Sequence, residues 1–157
     1  MIRLAAPADK TALLLVAESI DLFGPDELEE MKGMISAHFD GEGEHGAFWL
    51  VSEDNHNVVG CAYCAPERMT NGTWNLLFIG IRPEYQGKGV GRAIVSHIEG
   101  MLAEKGAHLL LVETLTDFER TRTFYHRCGY EEEAQIRDFY DVGAHKVIYR
   151  KRITAKR

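Results

Sequence analysis

The apolar positions of the chain follow two periods, one typical of helices and one typical of strands. Apolar residues three and four apart predict four amphipathic helices, because residues at that spacing share one helix face. Proline opens the first two helices, at Pro7 and Pro25, where a missing N–H is tolerated. Gly129 stands where a glycine commonly ends a helix. The four predicted helices cover residues 7–20, 25–38, 90–102 and 117–128.

Apolar or alternating stretches bounded by turn residues predict seven strands. They are "MIRLA" (1–5), "AFWLVSE" (47–53), "VVGCAYCAPE" (58–67), "TWNLLFIGIR" (73–82), "HLLLVETL" (108–115), "YEEEAQIRDFY" (130–140) and "AHKVIYRKRI" (144–153). The fourth is almost continuously apolar, which predicts burial on both faces, and its Gly80 suggests a bulge or a close backbone approach. The order β-α-α-β-β-β-α-β-α-β-β predicts a mixed sheet with helices packed on it, in the α/β (α+β) class.

Length, composition and charge narrow the class of protein. The 157 residues, 45% of them hydrophobic, suit a single domain over residues 1–157. The net charge of −6 argues against a nucleic-acid partner, which would favour a basic surface. No apolar run reaches membrane-spanning length, so we expect no membrane partner. An odd number of cysteines, three, fits a reducing compartment, and we therefore expect a cytoplasmic protein.

Two of the cysteines, Cys61 and Cys64, form a lone C-x-x-C pattern in a predicted strand. Residues three apart in a strand point to opposite faces and cannot converge on one ion. The chain has no second pair that would complete a zinc site. We therefore expect buried thiols here and no metal.

The stretch "RPEYQGKGVGRAI" (82–94) places three glycines in five positions at the start of a predicted helix. A helix N-terminus offers unpaired N–H groups and partial positive charge, and glycine allows an anion to approach the backbone closely. The spacing fits neither the P-loop nor the dinucleotide fingerprint, because Gly87, Gly89 and Gly91 read G-x-G-x-G. What remains is a Q-x-x-G-x-G pattern directly after a buried strand, which indicates a phosphate site of another kind.

This pattern resembles the acetyl-CoA signature of the GNAT superfamily of N-acetyltransferases. The stretch "FYHRCGY" (124–130) resembles the second motif of that family, and the order of elements agrees over nearly the whole chain. The resemblance implies the GNAT fold of about seven strands and four helices, with acetyl-CoA as co-substrate and no metal. It also implies that homodimers are frequent among relatives.

The resemblance implies two sets of residues that bind the coenzyme. Backbone N–H groups of the loop would hold the pyrophosphate, and the strand before the loop would pair with the pantetheine arm. The loop set is Gln86, Gly87, Lys88, Gly89, Val90, Gly91 and Arg92, and the strand set is Ile79, Gly80 and Ile81. For Lys88 and Arg92, an ordinary solvated surface charge is the alternative.

Two residues are candidates for the chemistry. Tyr125 matches the family tyrosine that protonates the leaving sulfur, and its alternative role is that of a core tyrosine. Glu113, twelve residues earlier in an apolar strand, matches the glutamate that serves as base in relatives that acetylate protein N-termini. Its alternatives are a salt bridge to Arg120 or Arg122, or a water chain in place of a base. The family often has an asparagine seven residues before the tyrosine, and Phe118 stands there instead.

The sequence therefore predicts an N-acetyltransferase that transfers an acetyl group to a primary amine by direct attack in a ternary complex. The alternatives are a non-catalytic acyl-CoA-binding regulatory module and transfer of a longer acyl group. The acceptor stays open among protein N-termini, lysines, polyamines, aminoglycosides and amino acids. The family resemblance suggests four residues for the acceptor site, namely Phe23, Trp74, Asn75 and Tyr140.

Overall fold

The structure, a computed structural model, describes residues 1–115 and 119–154, and these form seven strands and four α-helices in the predicted order. The strands are β1 (Ile2–Leu4), β2 (Phe48–Asp54), β3 (Asn57–Pro66), β4 (Thr73–Ile81), β5 (Leu109–Leu115), β6 (Glu131–Asp141) and β7 (Ala144–Arg152). The helices are α1 (Lys10–Ser19), α2 (Pro25–Phe39), α3 (Val90–Glu104) and α4 (Glu119–Arg127). Short 3-10 helices precede α1 (Pro7–Asp9) and α3 (Pro83–Tyr85).

The start of one helix differs from the sequence prediction by three residues, and the other described helix ends lie within two residues of it. The turn at Pro7 is a 3-10 helix, and α1 begins only at Lys10. The carboxylate of Asp9 accepts hydrogen bonds from the Ala6 amide at 2.7 Å and from Arg3 at 2.7 and 3.0 Å, which ties this turn to β1. Helix α4 is described from Glu119, and the first two residues of the predicted helix lie outside the described residues.

The strands form a mixed sheet in the order β1-β2-β3-β4-β5-β7-β6. Strands β4 and β5 pair in parallel, and β1–β2, β2–β3, β5–β7 and β6–β7 pair antiparallel. The parallel pair is short, because Thr73–Leu76 match Leu109–Val112 and the register ends there. The prediction that β4 is buried on both faces is wrong at Leu77, which is 44% exposed.

The chain divides into two compact units. The first comprises Met1–Ala65 and Phe78–His97. Helices α1 and α2 pack there on β2 and β3 around a cluster of buried side chains. That cluster contains Leu13, Val16, Ile35, Trp49, Val51, Val58, Cys61 and Tyr63.

The second unit comprises Pro66–Leu77 and the described part of Ile98–Arg157. Strands β5 and β7 pair there without a register shift, from Leu109–Arg152 to Leu115–Lys146. The alternation of strand residues gives this pair two distinct faces. Tyr149 lies on the face covered by α4, because its ring stacks on that of Tyr125 with centroids 5.2 Å apart. The residue paired with Glu113 is Ile148, which lies on the opposite face.

Candidate functional site

Two residues of the glycine loop have a left-handed backbone conformation. Gly87 and Gly89 have φ angles of +75° and +85°, a region that residues with a side chain avoid. A Cβ atom added at either position would meet no other atom within 4 Å, so open space lies beside this backbone. The helix α3 begins at Val90, and its first amides have no carbonyl partner within the helix. Open space therefore lies beside the loop backbone, next to the unpaired amides at the start of α3.

The loop is anchored to the first unit by its flanking residues. Arg82 donates from its backbone amide to the Val59 carbonyl at 2.9 Å and from Nε to the Val58 carbonyl at 3.1 Å. The side chain of Gln86 donates to the Ile81 carbonyl at 3.0 Å, so this residue braces the loop against the end of β4. These bonds fix the loop independently of any ligand.

The charged residues of the loop are exposed. The Lys88 ammonium lies 5.5 Å from the centroid of the Tyr85 ring, and Arg92 lies in the first turn of α3 together with Gly91. At that end of the helix a positive side chain adds to the positive end of the helix dipole and so favours an anion.

The strand before the loop carries the three residues predicted for the pantetheine arm. Gly80 is buried, and Ile79 and Ile81 are half-buried. A Cβ at Gly80 would lie 2.9 Å from the Phe78 ring and 3.3 Å from Val16, so side chains pack closely against this glycine. The bulge predicted at the same position stays a prediction.

A cleft of about 630 Å³ opens beside the loop within the first unit. Its lining includes Lys88, Gly89 and Val90 from the loop and the start of α3, and Glu53 and Asp54 from β2. The cleft therefore combines charges of both signs and shows that the loop residues border open volume.

Tyr125 is held rigidly in the second unit. Its side chain is 3% exposed, its ring stacks on Tyr149, and the rings of Phe124 and Tyr130 meet it edge-on at 5.0 and 5.6 Å. Burial raises the pKa of Tyr125 well above its usual 10, with Cys128 and Tyr149 contributing in the same direction. The phenol therefore stays protonated at any pH at which an enzyme works, as a proton donor must.

Glu113 has a partner that the sequence analysis did not name. Its Oε2 accepts from the Lys146 ammonium at 2.7 Å, whereas Arg122 lies 3.7 Å from Glu132. The pair arises from the register, because Lys146 lies diagonally across β7 from Glu113. The Glu113 side chain is 29% exposed and can be reached from solvent, whereas that of Lys146 is 8% exposed.

The two candidate catalytic residues lie on opposite faces of the β5–β7 pair. Tyr125 is on the face of Tyr149, and Glu113 is on the face of Ile148. Tyr140 is near Glu113, since burial and, secondly, the Glu113 charge raise the pKa of the Tyr140 phenol.

The residues predicted for the acceptor site are not all exposed. Phe23 contacts the Phe78 ring with centroids 5.9 Å apart, Trp74 is 9% exposed and Tyr140 is 47% exposed. Asn75 is buried and donates to Glu67 at 2.5 Å, and its Oδ1 finds no hydrogen-bond partner among the described residues. Such an acceptor atom would be satisfied by a donor of a ligand or by water.

The described residues form no metal-binding cluster and no helix that could span a membrane, and the paired cysteines Cys61 and Cys64 are not reactive thiols. No group of three or more His, Cys, Asp or Glu side chains in 1–115 and 119–154 could hold a metal ion. Burial raises the pKa of Cys61 and of Cys64 to about 12, as expected of inert buried thiols. Within the same residues, no helix combines the length and the apolar character needed to cross a membrane.

Comparison with known proteins assigns the chain to a family. The model of the acetyltransferase (GNAT) family matches residues 14–130, and the chain therefore belongs to this family. A crystal structure of a GNAT-family protein from Desulfovibrio desulfuricans superposes with a TM-score of 0.90 and 29% identity, over 98% of both chains.

Two more distant structures share the fold but differ in the acceptor that their names state. The ribosomal-protein-S18-alanine N-acetyltransferase of Escherichia coli has a TM-score of 0.80 and 18% identity, over 100% of this chain and 96% of its own. An aminoglycoside 6'-N-acetyltransferase complexed with coenzyme A has a TM-score of 0.75 and 16% identity, over 100% and 99%. The fold alone therefore does not select the acceptor.

Proposed function

We propose that this protein is an N-acetyltransferase that moves the acetyl group of acetyl-CoA to a primary amine. The observation that carries the proposal is the glycine loop, whose two positive-φ glycines border open space at the start of a 15-residue helix. Family membership makes an acetyl thioester the natural ligand of such a loop. We propose with it that the acceptor is a primary amine and that the site residues have the following roles.

The loop amides from Gly87 to Arg92 bind the pyrophosphate of the coenzyme, and the backbone of Ile79 and Ile81 pairs with its pantetheine arm. When bound, acetyl-CoA supplies an activated acetyl group and a thiolate leaving group. Lys88 and Arg92 add positive charge near the phosphates. Gln86 acts indirectly, because its amide holds the loop to the Ile81 carbonyl.

Tyr125 and Glu113 handle the two protons of the transfer. The amine attacks as a neutral group, and the Glu113 carboxylate takes up the proton that it loses, directly or through water. The Tyr125 hydroxyl donates a proton to the sulfur as the C–S bond breaks. The products are an N-acetyl group and a free thiol, so no redox partner is needed.

The proposal also includes the acceptor site and the cellular compartment. Phe23, Trp74, Asn75 and Tyr140 line the acceptor site in this proposal, and the unpartnered Oδ1 of Asn75 supports its inclusion. The cysteines at 61, 64 and 128, all within the described residues, form no disulfide, which supports a reducing compartment such as the cytoplasm.

A thiol-release assay with acetyl-CoA tests the proposal. The acceptors are peptides with a single α-amino group, lysine peptides, polyamines, aminoglycosides and free amino acids. We expect turnover with one class, and we expect Glu113→Gln to lower kcat by about tenfold or more. Glu132→Gln is the matched control, since Glu132 is also a strand glutamate that pairs with a cation, here Arg122 at 3.7 Å.

The outcomes separate the alternatives. If acetyl-CoA binds but no thiol is released from it with any of the acceptors, the non-catalytic binding module would be indicated instead. Faster turnover with a hexanoyl thioester than with acetyl-CoA would indicate transfer of a longer acyl group.

A further inference from the structure

Lys146 is an unusual neighbour for a residue proposed as a base. Its ammonium lies 2.7 Å from Glu113 Oε2 and 3.9 Å from the centroid of the Phe139 ring, and the residue is 6% exposed. Lysine is rarely buried unless it is paired, and here a carboxylate and an aromatic face both stabilise the charge. The group that faces the acceptor is therefore an electroneutral pair and not an isolated carboxylate.

The Phe139 ring is held over Lys146 by an irregularity in the β6–β7 hairpin. The register shifts between Ile136 and Asp141, and Asp138 has a φ of +56°. The Asp138 amide donates to His145 Nδ1 at 2.9 Å, and the Asp138 carboxylate accepts from the Gly143 amide at 2.8 Å. This hydrogen-bonded turn fixes the segment that carries Phe139, so the cover over Lys146 belongs to the fold.

We propose that Lys146 is a specificity-determining residue, which neutralises Glu113 and so favours acceptor amines that arrive uncharged over polycations. The inference rests on the proposed function, because it concerns the acceptor of the same transfer. An isolated carboxylate would attract a cation, whereas a second cation beside the Lys146 ammonium meets like-charge repulsion.

The pKa of an acceptor amine determines what fraction of it is neutral at a given pH, and so which amines this preference favours. An α-amino group has a pKa of about 8 and a lysine-type amine one of about 10.4, so at pH 8 about half of the former is neutral against about one per cent or less of the latter. The neutral pair at Glu113 therefore fits an α-amino acceptor without further positive charge. Polyamines and aminoglycosides fit it poorly.

The test compares two acceptors at pH 8, a short peptide amide whose one ionisable group is its α-amine, and spermidine. The readout is the ratio of their kcat/KM values from thiol release. We expect the parent to favour the peptide, and we expect Lys146→Met to shift the ratio toward spermidine by about tenfold, mainly through the KM for spermidine. Lys146→Arg keeps the charge and should retain the parent ratio.

The same strand offers a matched control. Lys151 also pairs with a glutamate, Glu99 at 3.0 Å, and lies 5.5 Å from the Tyr130 ring centroid, but on the other face of β7. Lys151→Met should leave the ratio unchanged. If Lys146→Met does not fold, Lys146→Gln carries the test, because it removes the charge and keeps a hydrogen-bond donor.

A double substitution tests whether the charge of Lys146 carries the effect. In a Glu113→Gln background the Lys146 ammonium has no carboxylate partner, so the preference for the peptide should rise above that of the parent, and adding Lys146→Met should reverse that rise. A parent that favours spermidine, or an unchanged ratio in Lys146→Met, would overturn this inference and leave the proposed function intact. A parent that transfers acetyl to no amine would overturn the proposed function itself, and this inference with it.

Discussion

At the scale of single residues, the Tyr125 side chain packs through its ring, and the role proposed for it in the reaction belongs to its hydroxyl. The Tyr125 ring is fixed by its stack on Tyr149 and by two edge contacts, none of which needs the hydroxyl. Removing the hydroxyl therefore tests its chemistry without creating a cavity.

Tyr125→Phe should lower kcat at saturating coenzyme by about tenfold or more, because the leaving sulfur loses its proton donor. Stability and coenzyme affinity should stay close to the parent. Tyr130→Phe is the control. It removes the 2.7 Å hydrogen bond to Glu99, so it should lower the free energy of unfolding by about 1–3 kcal/mol while kcat is kept. Equal kcat values for Tyr125→Phe and the parent would contradict the acid role.

The contacts of Arg3 with Asp9 and Glu53 allow a prediction about the pH dependence of stability. A hydrogen bond from Arg3 lowers the pKa of Asp9 below its ordinary 3.8 although burial opposes this, and Arg3 also contacts Glu53. The ionised Asp9 therefore favours the folded state above pH 3.8, and this contribution is lost as the pH falls toward the lowered pKa. In urea unfolding, Asp9→Asn should be less stable than the parent at pH 7, and the difference should shrink below pH 4.

The control for Asp9→Asn is Asp54→Asn, which changes an exposed carboxylate at the end of β2. Its stability should follow the parent at each pH. A difference between Asp9→Asn and the parent that is the same at pH 7 and pH 3 would contradict the linkage.

At the scale of elements, the local sequence pattern predicted the helices and strands, but it did not predict contacts that depend on strand pairing. Proline, apolar period and turn glycines predicted the helices, the strands and the Gly129 helix end, because these signals act within a few residues. The exposure of Leu77 and the Lys146 partner of Glu113 were missed, because both depend on how β5 pairs with its neighbours. Alternation in "AHKVIYRKRI" places Lys146 and Ile148 on one face, but only the register shows which face of β5 they join.

The glycine loop gives a prediction at this scale. Gly89→Ala forces a side chain into a positive-φ conformation, at a cost of about 1–2 kcal/mol if the loop keeps its shape. We expect the Kd for acetyl-CoA to rise about tenfold or more as the loop relaxes to avoid that cost. Gly100→Ala is the control, since Gly100 lies inside α3 with open space around it and should gain stability by about 0.5–1 kcal/mol. Isothermal titration with acetyl-CoA measures the Kd of both variants, and urea unfolding measures the stability of Gly100→Ala.

At the scale of the whole molecule, two compact units share two elements. Strand β4 passes from the second unit into the first after Leu77, and helix α3 passes from the first into the second after His97. An element that unfolds in one unit therefore loses its continuation in the other. The sequence prediction of one domain over residues 1–157 stays a prediction, but this sharing supports cooperative unfolding.

The two tryptophans of the chain allow that prediction to be tested. Trp49 lies in the first unit and Trp74 in the second, and both are buried. Trp49→Phe and Trp74→Phe each leave one fluorescent reporter. We expect the urea transition by fluorescence to coincide with that by circular dichroism within each variant. A fluorescence transition displaced from the dichroism transition would show that the units unfold separately.

The most direct test of the central claim is to follow both products of one reaction. Purified protein, acetyl-CoA and the amine panel are incubated together, with free thiol and acetylated amine quantified in the same samples. Acetyl transfer to an amine predicts one acetylated amine for each thiol released, in amounts that depend on the amine added. Thiol release at the same rate without any acetylated amine would mean hydrolysis, and would contradict the assignment of this protein as an N-acetyltransferase.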